Sequence, residues 1–284
     1  MLHESPTIEI REVRRAALLN IPTTQRTFPA ILSRTRDTDD IIRKIVYSHV
    51  LNHLQHPKQL TIAQRELIVR NGLGDRQAPV RAAAGKLIGT WVDVVGGGLV
   101  EFLQTFDLLG SEVAEDALFS VFVTRPDIFD NAEFDGKSND IKSDVIISWC
   151  AEAFWSELSP EKAFLIRVFV EHCINTKDDS RLESSLPVVT ALAFKIQAAY
   201  NDFLEQVQAY EEARSLDDPN EEEQEVNEET RADQEFVIGE MLRLAINLDY
   251  ADEIGRRKMF GLVRTSRRTC RMPTTLPLPL LQAI

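Results

Sequence analysis

One local pattern recurs along the first third of this 284-residue chain: an apolar residue followed by arginine at the start of a helical segment. In two of its three copies, an aspartate stands five residues before the apolar residue. The apolar residues lie 29 and 38 residues apart, which brackets a helix-turn-helix unit. Such a unit leaves one apolar face uncovered, so successive units must stack. The three copies are Val13-Arg14, Ile42-Arg43 after Asp37, and Val80-Arg81 after Asp75.

The rest of the chain carries the apolar periodicity of amphipathic helices. Apolar residues recur at three- and four-residue spacing, and no run alternates strictly between apolar and polar residues as a strand of a sheet would. The 12 glycines and 12 prolines stand mostly between these segments, where they end helices. The sequence therefore predicts an all-α fold of roughly eleven helices joined by short connections.

The aspartate that precedes an apolar-arginine pair at a helix start is similar to the pattern of HEAT repeats. A single copy is better explained by an aspartate that caps an ordinary helix, and the repetition is what favours a HEAT/armadillo-type solenoid, an α-α superhelix. In such an array the turn aspartate is expected to meet the arginine of the next unit in a ladder of charge-assisted hydrogen bonds. The predicted ladder residues are Asp37, Arg43, Asp75 and Arg81.

Composition divides the chain into three segments. Residues 1–210 are expected to form the repeat array. Residues 211–235 hold 12 acidic and 2 basic residues, which predicts a disordered acidic insertion because so polar a stretch buries too little apolar surface to offset its ordering entropy. Residues 236–284 are expected to form a further helical repeat piece followed by an irregular, proline-interrupted tail.

Charge is distributed unevenly along the chain. Residues 1–90 hold 14 basic against 8 acidic residues, whereas the remainder holds 18 against 37, for a total of -13. Stacked repeats can align basic side chains into a stripe that contacts phosphates without reading base sequence, although charge alone favours a merely solvated face. The candidates for contacts with a DNA backbone are Arg11, Arg14, Arg15, Arg34, Arg36, Lys44, Lys58, Arg65, Arg70 and Lys86.

Several classes of function find no support in the motifs. The chain has no glycine-rich phosphate loop and no nucleophile elbow, so neither an enzyme nor a nucleotide cofactor is predicted. His49, His53 and His56 have helical spacing but no accompanying carboxylate or cysteine cluster, so we expect no metal site there. The three cysteines form no paired motif, and no apolar run is long enough to span a membrane. No small-molecule substrate is predicted.

The order of local strings carries a closer resemblance. AALLNIP, ILSRTRD, RKIVYSHVL, RELIVRNGLGDR, VRAAAGKLIGTWVD and finally DEIGRRKMFGLVR follow one another as in the condensin HEAT-repeat subunit of the non-SMC subunit 3, or CAP-G, type. The match is strongest over residues 10–95 and recurs at 252–264. The chain is shorter than a full subunit of that family, so a fragment or truncated form is expected.

This resemblance implies a non-catalytic scaffold that binds the kleisin subunit and, through it, the SMC subunits of condensin. It also implies sequence-independent binding of double-stranded DNA during mitotic chromosome condensation, in the nucleus and on chromosomes, with cytoplasmic location possible outside mitosis. The alternative is an importin-like or phosphatase-adaptor HEAT scaffold that binds peptides or proteins without DNA. Recovery of kleisin and SMC subunits, rather than cargo or phosphatase subunits, separates the two.

Overall fold

The computed structural model describes residues 6–54, 56–130, 155, 158–215 and 221–269, and these residues divide into two compact units at residues 142 and 143. No strand occurs within the described ranges, so the all-α prediction is confirmed. Within the same ranges, no helix is long and apolar enough to cross a membrane. The predicted irregular tail lies outside the described residues, as do Trp149, Cys150 and Cys270.

The first unit is built from helices that stack in parallel rows. Helices α1, α3, α5 and α7 contact one another in succession, and α4 packs against both α5 and α7. The fold is of the HEAT type, as the sequence predicted. The helices are α1 (Pro6–Asn20), α2 (Phe28–Ser33), α3 (Asp40–Ile45), α4 (Ile62–Leu73), α5 (Ala78–Val94), α6 (Leu99–Leu103), α7 (Val113–Thr124) and α8 (Asp127–Asp130).

The helix bounds of this unit follow from local sequence. The Thr61 hydroxyl accepts a hydrogen bond from the Gln64 N–H at 3.2 Å while the Gln64 side chain accepts one from the Thr61 N–H at 3.0 Å, so a capping box starts α4. Helix α5 ends at Val94, shortly before Gly96 and Gly97, whose φ angles of 123° and 84° are accessible to glycine. Helix α3 widens into a π-helical turn at Val46–Val50, which then tightens into a 3₁₀ turn.

Within its described residues, the second unit consists of four long helices and one short one. Helix α9 (Pro160–Thr176) is followed by α10 (Asp179–Ser185), α11 (Val189–Ser215), α12 (Glu221–Ala245) and α13 (Glu253–Thr269). Helix α12 packs against both α9 and α11, and α13 packs against α11. Every residue from 163 to 170 is buried, because α9 is covered on all sides.

The acidic segment is a correction to the sequence analysis. Residues 211–215 continue helix α11 and residues 221–235 belong to helix α12, where the sequence predicted a disordered insertion. The prediction weighed charge against burial and neglected that Glu, Gln, Ala and Arg are strong helix formers. Glutamates at residues 221–223 also occupy the first turn of α12, where the helix dipole favours negative charge.

Candidate functional site

The turn aspartates of the first unit receive arginines from the preceding helix of the stack. Arg43 donates two hydrogen bonds to the Asp75 carboxylate, from Nε to Oδ2 at 2.6 Å and from Nη2 to Oδ1 at 3.0 Å. Arg14 of α1 pairs with Asp37 through one contact, from Nη2 to Oδ1 at 3.3 Å. The sequence analysis expected each aspartate to meet the arginine of the next unit, and the structure reverses that order. Arg14 of α1 reaches the turn before α3, and Arg43 of α3 reaches the turn before α5.

Each ladder arginine also closes its own turn. Arg43 donates from Nη1 to the Asp37 carbonyl oxygen at 2.8 Å, and Arg81 donates from Nη1 to the Asp75 carbonyl oxygen at 2.7 Å. A guanidinium presents five donors in a fixed fork, so one side chain can satisfy a backbone carbonyl and a carboxylate together. These residues are therefore engaged in holding the turns and the helix stack.

Hydrogen bonds and nearby arginine charges in the ladder lower the pKa of its acids, against the effect of burial. The side chains of Arg43 and Asp75 are each 6% exposed. The hydrogen bonds from Arg43 lower the pKa of Asp75, an effect that outweighs the opposing influence of burial. Burial raises the pKa of Asp37, but hydrogen bonds from the Asp39 N–H and from Arg34, together with the charge of Arg14, leave that pKa below its ordinary value.

Arg65 is a second correction, because the structure removes it from the candidates for phosphate contact. Its residue is only 6% exposed, and its guanidinium donates to the carbonyl oxygens of Thr105 at 2.7 Å, Leu60 at 2.5 Å and Pro57 at 3.1 Å. A long basic side chain in a helical pattern looks the same in sequence whether it points outward or inward. Arg65 joins a loop to the helix stack, and its side chain is too deeply buried to bind a polyanion.

Two of the predicted basic residues converge on one groove. Lys44 of α3 and Lys86 of α5 line a groove of about 440 Å³ between these two helices. Both lysines are exposed, and neither has a carboxylate at ion-pair distance within the described part of the chain. Other residues that line the groove offer hydroxyl and amide groups, which bind phosphate oxygens well. They are Ser48, Asn52 and Thr90.

The remaining candidates lie on the surface of the same unit but are not gathered into that groove. Arg11 pairs with Asp39 at 3.4 Å, Arg15 lies 4.0 Å from Glu12, and Arg34 pairs with Asp37 at 3.2 Å. Arg36 donates to the Asn71 side chain, while Lys58 and Arg70 are exposed. Exposed ion pairs are weak, about 0–1 kcal/mol, so the paired arginines stay available to a stronger anion.

The sequence analysis missed a basic cluster on helix α13. Four of its described side chains are cationic, and Lys258 lies over the ring of Phe194 with its ammonium 4.3 Å from the ring centroid. The net negative charge of the second part of the chain concealed this cluster. A charge count over a short window would have found it at the run of residues 255–258. Its described members are Arg256, Arg257, Lys258 and Arg264.

His49, His53 and His56 make contacts within their own turns. The rings of His49 and His53 meet edge to face with centroids 4.7 Å apart, and His53 Nδ1 contacts the His49 carbonyl oxygen. His56 Nδ1 accepts a hydrogen bond from the Lys58 N–H at 3.0 Å, which caps a short 3₁₀ turn. Within the described residues, no group of three or more histidine, cysteine or acidic side chains is placed to hold a metal ion.

Comparisons with known proteins place this helical array among condensin subunits. The chain is 32% identical over 267 residues to condensin complex subunit 3 of Schizosaccharomyces pombe and 29% identical over 280 residues to that of Saccharomyces cerevisiae. Against the human condensin complex subunit 3 it is 30% identical over 268 residues. No protein-family model matches the chain.

A solved structure agrees with these relatives. The crystal structure of the S. pombe condensin Cnd3-Cnd2 subcomplex contains a chain that matches 99% of this one with a TM-score of 0.74 and 30% sequence identity. The match covers 31% of that chain, and the curated relatives are covered over 26%, 23% and 23% of their length in the order given above. Sequence and fold together show that the chain belongs to the condensin complex subunit 3 family.

Proposed function

We propose that this chain acts as a non-catalytic scaffold of the condensin complex that binds the kleisin subunit and holds the backbone of double-stranded DNA during mitotic chromosome condensation. The observation that carries the DNA part is the convergence of Lys44 and Lys86 on one groove with hydroxyl and amide groups beside them. The similarity to a chain of the Cnd3-Cnd2 subcomplex supports a kleisin partner and, through it, the SMC subunits. The place of action is then the nucleus and the chromosomes.

Binding in this proposal is electrostatic and independent of base sequence. The two ammonium groups of the groove lack carboxylate partners within the described ranges, so they are free to replace the counterions of a phosphate backbone. Exposed arginines of the same unit extend the positive surface, and Arg65 does not take part because it is buried. The ladder arginines keep the helices in register and so hold the spacing between the two lysines.

The salt dependence of DNA binding tests this assignment. We expect the affinity of the chain, alone and with its kleisin, to fall linearly on logarithmic axes as salt rises, with a slope of about 0.9 per phosphate contact. Replacing both lysines, Lys44→Gln and Lys86→Gln, should lower the affinity and reduce the slope by about 2. The control Lys177→Gln removes one exposed lysine of the second unit and should leave the slope unchanged. An unchanged slope in the double variant would overturn the role of the groove.

A pull-down tests the partner. Kleisin and SMC subunits should be recovered with the chain from cells arrested in mitosis. Recovery of transport cargo or phosphatase subunits without them would favour the peptide-binding scaffold of the alternative and contradict the condensin assignment.

A further inference from the structure

A second groove lies on the other side of helix α5, between α5 and α7, and its chemistry differs from that of the lysine groove. Its volume is about 480 Å³, which is room for one or two bulky side chains. Its lining is almost entirely apolar, whereas the groove between α3 and α5 has a larger polar share from its hydroxyl and amide groups. The residues that line it are Arg81, Ala82, Gly85, Lys86, Phe119, Ser120, Val123 and Thr124.

The two helices that form this groove run in the same direction and approach closely. A methyl group placed on Gly85 would lie 3.0 Å from the Ser120 hydroxyl, and one on Gly89 would lie 3.2 Å from the Thr124 hydroxyl. One turn further along, Arg125 joins the two helices by donating to the Gly89 carbonyl oxygen at 3.4 Å and to Asp93 at 2.6 Å. The groove therefore has a floor of small residues.

Its wall on α7 exposes an apolar side chain to water. Val123 is 72% exposed, which is high for a valine within a helix of a folded unit. The opposite wall on α5 carries the two cations Arg81 and Lys86, and neither pairs with a carboxylate within the described residues. Apolar surface on one wall and unpaired positive charge on the other suit a ligand that is apolar on one side and anionic on the other.

We propose that the groove between α5 and α7 binds an extended, acidic segment of the kleisin subunit. A bulky apolar side chain of that segment fills the groove against Val123 and Phe119, and a neighbouring carboxylate pairs with Lys86 and Arg81. This inference rests on the proposed function for the identity of the partner. Charge complementarity selects the segment, since a basic segment would face two uncompensated cations.

Lys86 lines both grooves, so the two ligands meet at this residue. A carboxylate bound to Lys86 neutralises the charge that a phosphate in the first groove would use. Occupation of the apolar groove by the kleisin segment should therefore weaken DNA binding at Lys86 but not at Lys44.

Short overlapping peptides that cover the kleisin sequence test the proposal by fluorescence anisotropy with the full chain. We expect the binding peptides to contain a bulky apolar residue beside an aspartate or glutamate. The variants Val123→Asp and Lys86→Glu should each weaken these peptides about tenfold or more, because one places charge in the apolar groove and the other reverses the charge of its rim. The variant Val123→Ile keeps the side chain apolar and should bind the peptides with wild-type affinity.

Val13→Asp is the matched control, because Val13 is also an exposed valine in a helix, at 68%, and lies outside this groove. It should leave the peptide affinity unchanged. Arg81 is not varied, since its guanidinium also holds the Asp75 turn. Circular dichroism of each variant checks that the helices remain folded.

The following results would overturn the proposal. Peptide affinities that are equal in wild type and Val123→Asp exclude the groove, as does binding that persists when the acidic residues of the peptide are replaced by lysine. A loss of DNA affinity without a loss of peptide affinity in Val123→Asp would assign the groove to the nucleic-acid surface. If intact kleisin binds the chain while no peptide responds to Val123 or Lys86, the groove proposal fails and the proposed function stands. If intact kleisin does not bind, the proposed function fails as well.

Discussion

At the scale of single residues, position in the ladder separates arginines that sequence alone treats alike. Arg43 is almost fully buried and bonds both a carboxylate and a carbonyl oxygen, whereas the Arg11 side chain is 41% exposed and forms two long ion pairs, at 3.4 and 3.5 Å. The first arrangement is costly to break, because the partner charge remains buried. The second is screened by water and salt.

Replacing Arg43 therefore has a much larger expected effect on stability than replacing Arg11. The variant Arg43→Met leaves Asp75 buried without its partner, and we expect the free energy of unfolding to fall by about 3 kcal/mol. Arg11→Gln, the exposed control, should change it by less than about 1 kcal/mol. Urea denaturation followed by circular dichroism measures both. Equal effects of the two variants would contradict the structural role of the ladder.

The pH dependence of the free energy of unfolding should reflect the pairing of Asp75 with Arg43. The pKa of Asp75 is lowered in the folded chain from an ordinary value of 3.8, chiefly by the hydrogen bonds from Arg43. A carboxyl group whose folded pKa is depressed stabilises the fold fully above its unfolded pKa and loses that contribution as the pH falls through its folded pKa. The stability difference between wild type and Asp75→Asn should thus be constant near neutral pH and shrink below about pH 4.

Titrating both proteins through urea denaturation at a series of pH values measures that difference. Groups common to the two proteins cancel, including Asp233, whose pKa burial raises. A difference that stays constant down to the acid limit of the folded state would show that Asp75 is not the group responsible.

At the scale of helices, one glycine sets how closely α4 approaches its neighbours. A methyl group on Gly72 would lie 2.5 Å from the Ala84 Cβ and 2.9 Å from the ring of Tyr47. Tyr47 is fully buried in the π-helical turn that follows α3, and its hydroxyl donates to the Ile68 carbonyl oxygen at 3.4 Å. Three helices therefore meet around a residue without a side chain.

Substituting alanine there should disturb the stack. We expect Gly72→Ala to lower the free energy of unfolding by about 1–3 kcal/mol, because the helices must move apart. Gly239→Ala in α12 is the matched control, since nothing lies within 4 Å of the added methyl group. That variant should raise stability by about 0.5–1 kcal/mol through helix propensity. Thermal melts compare the two, and a stabilising Gly72→Ala would contradict the close contact.

At the scale of the whole molecule, the chain folds as two compact units, each with its own buried charge pair. Arg43 and Asp75 join successive turns of the first unit, while Arg167 of α9 donates to Glu240 of α12 at 2.7 Å in the second. The Arg167 and Glu240 side chains are 3% and 2% exposed. Each unit is thus stabilised by its own buried ion pair, which favours cooperative opening of that unit by itself.

Hydrogen exchange should show that the two units open separately. Regions of a protein open in cooperative units whose free energies differ, and a buried pair stabilises the unit that contains it. We expect Arg167→Met to speed exchange of the amides of α9 and α12 and to leave those of α4 and α5 unchanged. Arg43→Met should have the converse effect. Exchange mass spectrometry resolves these segments, and parallel changes in both units would refute separate opening.

Sequence alone determined the fold class and the repeat, because both depend on local spacing. Helical periodicity and the cap at Thr61 each depend on residues that are close to one another in sequence. The aspartate of the repeat likewise stands only five residues before Ile42-Arg43 and Val80-Arg81. The order of the strings likewise identified the family. The acidic segment differs from the prediction because charge content was given more weight than the intrinsic helix propensity of glutamate.

The direction of side chains was decided by tertiary structure. Arg65 and Lys86 are both basic residues within helices, yet one satisfies three backbone carbonyls in the interior while the other lies on a ridge between two grooves. The convergence of Lys44 on Lys86 and the apolar groove beside it depend on which helices stack. Stacking joins residues about 40 positions apart. Local sequence pattern cannot specify such contacts, because it shows only the apolar face of each helix by itself. Which faces pack together is decided in the folded protein.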